Sequence, residues 1–256
     1  VVTLNYLPAA SEARIVLAIG IVVGVYYMSR VGKREVGMTF DQANVLFLLI
    51  FAAALIGGKV FLLLEDPLFY LASPSRLFQG SGFVFYGSFL FTVPVMLWYF
   101  TKNNFPKWKI LDVMAATTCI VHFFGRIGCF LAGCCYGKPT EFFAGVVFTD
   151  VKSQAEPKGV PLHPSQLYEA GLILLVLGLI ALVKERKKYH GQLFMIYLVA
   201  YATGRFFLEY LRGDSERGFV IDSVLSNSQA VALLIVGAAL YLHVRRSKVR
   251  IASTAE

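Results

Sequence analysis

Residues 43–64 read ANVLFLLIFAAALIGGKVFLLL, a run of 22 residues in which Lys59 is the only charge. A helix of this length rises about 33 Å, enough to cross a hydrocarbon core of about 30 Å. A helix that is apolar on all sides is typical of a membrane span. We therefore predict a transmembrane helix here.

The rest of the chain has the same character. Of 256 residues, 57% are hydrophobic and only 16% are charged, which exceeds what a soluble core of this size can bury. Apolar runs lie near 13–29, 43–64, 83–100, 110–131, 166–183, 192–211 and 228–244. We predict an all-α, polytopic integral membrane protein with seven transmembrane helices, forming a single domain over residues 1–256.

The connecting segments predict the orientation. Basic residues such as Arg30, Lys102, Lys184 and Arg245 follow the first, third, fifth and seventh helices, while the other loops mix both signs. Since basic residues of short loops stay in the cytoplasm, the N-terminus is expected outside and the C-terminus in the cytoplasm. The longest outer loop, residues 132–165, is predicted to form a small extracytoplasmic cap with a hairpin in 142–151.

The net charge of +8 lies mainly in these cytoplasmic clusters. It therefore indicates topology and attraction to anionic membrane lipid, and no nucleic-acid partner is expected.

Charged residues also lie inside the predicted spans, where each costs about 2.5–3.5 kcal/mol and calls for a partner or a function. Residues three or four apart share a helix face, and this spacing defines three polar stripes near the outer ends of neighbouring helices. They are Cys119, His122, Arg126 and Cys129; His163, Gln166 and Glu169; and Tyr201, Arg205, Glu209 and Arg212.

The stripes have two explanations. In one, they are structural ion pairs, with Glu209 neutralising Arg205 and Glu169 neutralising another arginine. In the other, they form a binding site, because three arginines outnumber two glutamates and arginine binds phosphate in a bidentate way. A phospholipid headgroup is the phosphate that the outer leaflet offers.

Three sequence blocks carry a family resemblance. They are Gly125-Arg126-Ile127-Gly128-Cys129-Phe130 with Tyr136-Gly137, His163-Pro164-Ser165-Gln166-Leu167-Tyr168-Glu169, and Gly204-Arg205-Phe206 through Glu209, Arg212 and Asp214. In order and spacing they resemble the signature of the bacterial prolipoprotein diacylglyceryl transferase family.

The resemblance implies transfer of the diacylglyceryl group of phosphatidylglycerol to the lipobox cysteine of preprolipoprotein signal peptides, without metal or cofactor. It also implies a multi-pass protein of the bacterial cytoplasmic (inner) membrane whose active site faces the outer leaflet. By motif position, Arg126 and Arg205 contact the phosphate or glycerol, and Glu209 orients Arg205. The other implied substrate-binding residues are Gly128, Cys129, Gly137, His163, Gln166, Glu169 and Arg212.

The chain departs from the family pattern at three positions: the family usually has histidine at Tyr86, asparagine at Cys129 and glutamate at Cys134. Tyrosine, with an ordinary pKa of about 10, is a poor base unless neighbouring arginines lower that value. His122, one turn before Arg126, is the alternative catalytic base, or else a core histidine. These departures also sustain a second hypothesis, a paralogue that transfers a lipid group to another acceptor or binds phospholipid without turnover.

The cysteines leave three options open. Cys129, Cys134 and Cys135 lie at the outer end of one helix, which favours a disulfide from Cys129 to Cys134 or Cys135 in an oxidising compartment. A zinc site with His122 is a bolder alternative, although the spacing matches no standard zinc pattern. A loop cysteine that transiently carries the lipid group is the third.

Other membrane classes fit less well. A retinal receptor needs a lysine in its last helix, and residues 228–244 contain none. A transporter is expected to show repeated halves or paired broken helices, and neither is visible.

Overall fold

The computed structural model describes residues 2–4, 10–73, 75, 85–213, 219–221 and 224–248, without the side chains of residues 2–4, 10, 11, 85, 86 and 219. The chain divides into two compact units, one of residues 25–110 and one of residues 1–24 with 111–256.

The structure is mainly helical, with a few short strands. The helices are α1 (Ala10–Val36), α2 (Phe40–Glu65), α3 (Pro67–Ala72), α4 (Phe85–Lys102), α5 (Lys107–Ala132), α6 (Ser165–Lys184), α7 (Gln192–Leu208) and α8 (Asn227–Ser247), with a 3-10 turn at Glu209–Leu211. The strands are β1 (Val2–Leu4), β2 (Val146–Phe148), β3 (Pro161–Leu162), β4 (Phe219–Ile221) and β5 (Leu225–Ser226).

Among the described residues, five helices are long and apolar enough to cross a membrane: α1, α2, α5, α6 and α8. The predicted spans near 83–100 and 192–211 correspond to α4 and α7, which have 18 and 17 residues. Large apolar side chains face outward, as Leu175, Leu182 and Leu234 are 74%, 77% and 73% exposed. Such surfaces need lipid to cover them, so the chain is a membrane protein.

In the unit of residues 25–110, α2 packs closely against α4. A Cβ on Gly57 would collide with the carbonyl oxygen of Gly87, and a Cβ on Gly87 would collide with that of Gly57. Two side chains add hydrogen bonds across the pair: Ser88 Oγ donates to Ala54 O (2.8 Å) and Tyr99 Oη donates to Gln42 O (2.9 Å). Small residues at the contact thus let two apolar helices approach, as in other membrane proteins.

In the other unit, α7 packs against both α6 and α8. Its N-terminus is held by Asp112 of α5, whose carboxylate is 3% exposed. Oδ2 accepts from Gly191 N (2.9 Å), and Oδ1 accepts from Leu193 N (2.9 Å) and Phe194 N (3.2 Å). A negative charge at the amides of a helix start satisfies donors that lack helical partners, and so fixes α5 relative to α7.

The segment between α5 and α6 forms a small β-structure. β2 pairs in parallel with β1 and antiparallel with β3, around a core that includes Phe148 and Leu162. The hairpin predicted within 142–151 is therefore wrong in its pairing, because β2 finds its antiparallel partner at Pro161–Leu162 instead. The rest of 142–145 and 149–151 forms turns and loop.

Candidate active site

A buried carboxylate, Glu169, joins three elements. It lies in the second turn of α6 and is 1% exposed. Its Oε1 is 2.9 Å from Arg126 Nη2 of α5 and accepts a hydrogen bond from Tyr201 Oη of α7 (2.6 Å). Its Oε2 is 4.0 Å from Nη1 of Arg212, which follows the 3-10 turn. With His122, these residues form what we call the Glu169 cluster.

His122 completes the cluster by contacting both Arg126 and Glu169. Its Nε2 is 3.3 Å from Arg126 Nε, which donates to it, and 3.5 Å from Glu169 Oε1. One nitrogen cannot accept from Arg126 and donate to Glu169 at the same time. Nε2 lies between a guanidinium donor and a carboxylate acceptor, within reach of both.

A second ion pair lies at the end of α7. Arg205 Nη1 is 2.6 Å from Glu209 Oε2, one helical turn further along. Glu209 Oε1 accepts from Ser226 Oγ (3.0 Å), the residue that also caps α8 in a capping box with Gln229. The capping residue of α8 therefore holds Glu209, and Glu209 holds Arg205. The spacing of the polar residues places Arg205 and Glu209 on one helix face, and the contact with Ser226 adds a constraint that this spacing does not give.

Gly137, His163 and Arg212 meet through their backbones. Gly137 N donates to His163 O (2.9 Å), and Lys138 N donates to Leu211 O (2.8 Å) in a bridge that pairs Gly137 with Arg212. A Cβ on Gly137 would collide with His163 and Leu211, so this crossing requires glycine. The His163 imidazole contacts Tyr168 Oη (3.2 Å), and partial burial lowers its pKa.

The loop after α5 is held by the start of α6. Gln166 Nε2 donates to Cys134 O (2.6 Å) and Ser165 Oγ donates to Cys135 O (2.7 Å). Gln166 is fully buried and Ser165 is 1% exposed, so water does not compete for these bonds. Gln166, predicted to bind substrate, thus positions the two cysteines.

The end of α5 brings three thiols together. Gly133 has a φ of +67°, and the chain turns back there so that Gly133 N donates to Phe130 O (3.1 Å) and Cys134 N donates to Cys129 O (3.1 Å). This is the pattern of a Schellman motif with glycine at C′. The Sγ atoms of Cys129, Cys134 and Cys135, the thiol cluster, lie within 4.8 Å of one another.

The cysteines are unbridged in the structure. Hydrogen bonds from the thiols of Cys129 and Cys134 lower the pKa of Cys135, and the charges of Arg212 and Arg126 lower it further. His122 belongs to the Glu169 cluster, and its ring nitrogens are not among the atoms that converge in the thiol cluster, as the predicted zinc site would require.

The structure thus brings most of the predicted residues into connected groups. Arg126, His122, Glu169 and Arg212 share one cluster, and Arg205 and Glu209 share one ion pair. Gly128 lies where a Cβ would be 3.1 Å from Ala13 O of α1, a close approach of two helices. Tyr86 lies in the first turn of α4, but its side chain is outside the described part of the chain.

Comparison with known proteins identifies the family. A family model described as prolipoprotein diacylglyceryl transferase matches residues 14–245, which include every predicted site residue. The chain belongs to the prolipoprotein diacylglyceryl transferase family. The resemblance inferred from the sequence blocks is therefore confirmed.

Three relatives are named phosphatidylglycerol–prolipoprotein diacylglyceryl transferase. That of Clostridium tetani is 34% identical over 221 residues, covering 86% of both chains. The second such transferase of Clostridium perfringens is 30% identical and covers 91% of this chain and 90% of its own. That of Solidesulfovibrio magneticus is 33% identical, covering 88% and 84%. The likeness to prolipoprotein diacylglyceryl transferases thus extends over nearly the whole chain.

Proposed function

We propose that this chain transfers the diacylglyceryl group of phosphatidylglycerol to the lipobox cysteine thiol of preprolipoproteins. Family membership supports this activity over the alternative of a lipid-binding paralogue. The observation that carries the proposal is the charge of the two ion-paired groups: three guanidinium groups, of Arg126, Arg205 and Arg212, accompany two carboxylates. The excess positive charge suits a phosphate ester.

The reaction is a displacement at carbon. The acceptor sulfur attacks the glyceryl carbon, the carbon–oxygen bond to phosphate breaks, and glycerol phosphate leaves with the electron pair. Fixed donors aimed at the leaving phosphate stabilise the charge that develops there. In this proposal Arg126 and Arg205 contact the phosphate or glycerol, while Glu169 and Glu209 hold the two guanidinium groups in place.

The remaining predicted residues shape the site. Arg212 adds charge beside Glu169. Gly137, His163 and Gln166 fix the loop that carries Cys134 and Cys135. For the thiol proton, the predicted acceptors are Tyr86 and His122. His122 Nε2 lies 3.3 Å from Arg126 Nε and 3.5 Å from Glu169 Oε1, so a proton held there has a carboxylate as well as a guanidinium group beside it.

We further propose seven transmembrane helices, with α4 and α7 as the two shorter spans, in a single membrane domain. The alternation of basic and mixed loops supports an external N-terminus, a cytoplasmic C-terminus and a site facing the outer leaflet. In that arrangement residues 132–165 form an extracytoplasmic cap. A C-terminal alkaline phosphatase fusion, which is active only when exported, is expected to be inactive; an active fusion would reverse the orientation.

The activity is tested with purified protein in phosphatidylglycerol-containing detergent micelles and a synthetic lipobox peptide. Mass spectrometry is expected to show a diacylglyceryl adduct on the peptide cysteine. Arg126→Ala and Arg205→Ala should each lower the initial rate about 100-fold or more, the usual cost of removing a group that stabilises transition-state charge.

Arg30→Ala is the matched control, because Arg30 stacks over Tyr26 (5.3 Å) on α1 and belongs to neither ion-paired group. Its rate should equal that of the unaltered protein. If the chain forms no adduct while the Clostridium tetani relative does so in the same micelles, the proposed activity is wrong.

A further inference from the structure

The thiol cluster can exist as free thiols or with one disulfide bond. Its three Sγ atoms lie within 4.8 Å of one another, and Cys129, Cys134 and Cys135 are all half-buried. A disulfide has a sulfur–sulfur distance of about 2.05 Å, so bonding one pair needs a movement of about 3 Å at most. Thiols that are this close can donate two electrons together and become a disulfide.

Cys135 is the thiol best suited to attack another disulfide. Hydrogen bonds from the thiols of Cys129 and Cys134 lower its pKa, and so do the charges of Arg212 and Arg126. The thiolate is the form that attacks, and reactive cysteines are partly exposed and lie near positive charge. Cys135 meets both conditions.

The backbone around Cys135 holds its thiol in the cluster. Cys135 has a φ of +60°, a left-handed conformation that is unusual for a residue with a side chain. Such a conformation persists where the surroundings enforce it and often marks a functional site. Here the buried side chains of Gln166 and Ser165 enforce it through their hydrogen bonds to Cys134 O and Cys135 O.

Cys129 is the better partner for a disulfide with Cys135. The Cα atoms of adjacent residues are about 3.8 Å apart across a trans peptide, whereas those of a disulfide are usually about 4.4–6.8 Å apart. Cys134 and Cys135 are adjacent and joined by a trans peptide, so a bond between them would be strained. Cys129 lies in the last turn of α5, where this restriction does not apply.

The cluster also lies beside the proposed site of lipid transfer. Cys129 follows Arg126 by three residues on α5 and so shares its helix face. A cavity of about 210 Å³ between α1 and α5 borders Cys129 and Cys134 and gives access to them. If the proposed function holds, on which this step rests, a cysteine that attacks lipid bound at Arg126 comes within reach of the cluster.

We propose that the thiol cluster reduces an acceptor cysteine that is disulfide-bonded to a small thiol compound, and so returns it to the form that accepts the lipid. Cysteines on the exported side of a membrane form disulfides readily. A sulfur in a disulfide has no thiolate with which to attack the glyceryl carbon. The cluster would thus act immediately before the transfer step.

The exchange has two steps. The Cys135 thiolate attacks the acceptor sulfur, the bond from that sulfur to the small thiol breaks, and the small thiol leaves and takes up a proton. Cys129 then loses its proton to water and attacks the Cys135 sulfur, which releases the acceptor as a free thiolate. Two electrons pass from the two cysteines to the acceptor disulfide, and the cluster is left with a Cys129–Cys135 disulfide.

The test uses full-length protein in detergent, reduced and then freed of reductant, without lipid. The probe is a lipobox peptide whose cysteine is disulfide-bonded to mercaptoethanol. Mass spectrometry should show about one equivalent of free-thiol peptide per protein, and a protein that has lost two hydrogens. Cys135→Ser should slow the reaction about 10-fold or more, because a thiol with an ordinary pKa of about 8.5 is only a few per cent ionised at neutral pH.

The second step has its own signature. Cys129→Ser should accumulate protein with the peptide disulfide-bonded to Cys135, because the thiol that releases it is missing. Cys134→Ser should still release the peptide. The opposite result, with the peptide trapped by Cys134→Ser and released by Cys129→Ser, would show that Cys129 is not the partner of Cys135.

Cys119→Ser is the matched control, because Cys119 is a buried free cysteine on the same helix and lies outside the cluster. It should reduce the peptide at the rate of the unaltered protein. The proposal is wrong if the cluster thiols of the reduced protein react with a thiol reagent but the peptide disulfide stays intact. It is also wrong if Cys135→Ser reduces the peptide as fast as the unaltered protein.

Adding phosphatidylglycerol separates this proposal from the proposed function. The unaltered protein should then form the diacylglyceryl adduct from the disulfide-bonded peptide without added reductant. Cys135→Ser should lower that yield far more than the yield from the free-thiol peptide. An adduct from the free-thiol peptide alone would refute the reduction and leave the transferase in place. Reduction without any adduct, even from the free-thiol peptide, would refute the proposed function and leave the thiol chemistry.

Discussion

Glu169→Gln tests the organisation of the site, because it removes one charge and keeps the shape of the side chain. In the structure this carboxylate lies 2.9 Å from Arg126 Nη2 and 4.0 Å from Arg212 Nη1, and it is 1% exposed. The amide would leave two guanidinium groups without their counter-charge at a buried position. Tyr201 loses a charged acceptor in the same change.

Removing one partner of a buried ion pair costs about 3–5 kcal/mol. In a chain of this size, 1 kcal/mol shifts the melting temperature by about 2–4 °C, so a fall of about 6–20 °C is expected. The assay is thermal unfolding in detergent, followed by circular dichroism or by the reaction of buried thiols. Transferase activity should fall as well, because Arg126 is no longer held.

Glu35→Gln is the control, as Glu35 pairs with an Arg34 side chain that is 68% exposed, at 3.6 Å. An exposed pair contributes about 0–1 kcal/mol, so this variant should melt within about 4 °C of the unaltered protein. If Glu169→Gln also melts within that range, Glu169 does not bind the arginines together as the structure indicates.

Three further changes test the packing around the site. Asp112→Ala should lower the free energy of unfolding by about 2–4 kcal/mol, since three amides at the start of α7 lose their acceptor, and Asp112→Asn should cost less. Gly57→Ala should destabilise the protein by about 1–3 kcal/mol, because the added methyl group forces α2 away from α4. In the same denaturation assay Gly178→Ala should be neutral or stabilising, because a methyl group at Gly178 would meet open space. Ser226→Ala should cost about 1–2 kcal/mol and also lower transferase activity, because Glu209 loses a partner; Ser226→Thr, which keeps the hydroxyl, should retain both.

The helices could be predicted because each membrane-crossing segment has to be continuously apolar. Their ends could not, because hydropathy reports contact with lipid and not helix formation. The first span was expected to end at 29, but α1 continues through Arg30, Lys33 and Arg34 to Val36 and stops at Gly37, which has a φ of +72°. Charged residues with good helix propensity extend a helix beyond the apolar run.

Part of the site could also be predicted. Carboxylates within apolar spans need partners, and spacing by one turn correctly paired Glu209 with Arg205 and assigned an arginine to Glu169. Asp112 was missed, although a charge within residues 110–131 was the available signal. Its partners are backbone amides about 80 positions further along the chain, and no side-chain pattern marks them.

The close approach of the thiols depends on one backbone turn. Gly133 followed by Cys134 at the end of an apolar run fits the pattern of a left-handed helix end, and with that motif assigned the contact between Cys134 and Cys129 would have followed. The parallel pairing of β1 with β2 had no comparable signal, because Val2–Leu4 is only three residues long and its partner begins at Val146.

The charges of the two ion-paired groups also suit the direction of the proposed reaction. Three guanidinium groups and two carboxylates leave one positive charge in excess. A phosphodiester carries one negative charge, while the phosphate monoester that leaves carries about 1.5–2 at neutral pH. Negative charge therefore grows on the phosphate as the carbon–oxygen bond breaks. Fixed positive charge consequently stabilises the transition state more strongly than it stabilises the bound lipid before reaction. Replacing Arg212 by a neutral residue removes that excess, so it should lower the maximal rate more than it weakens lipid binding.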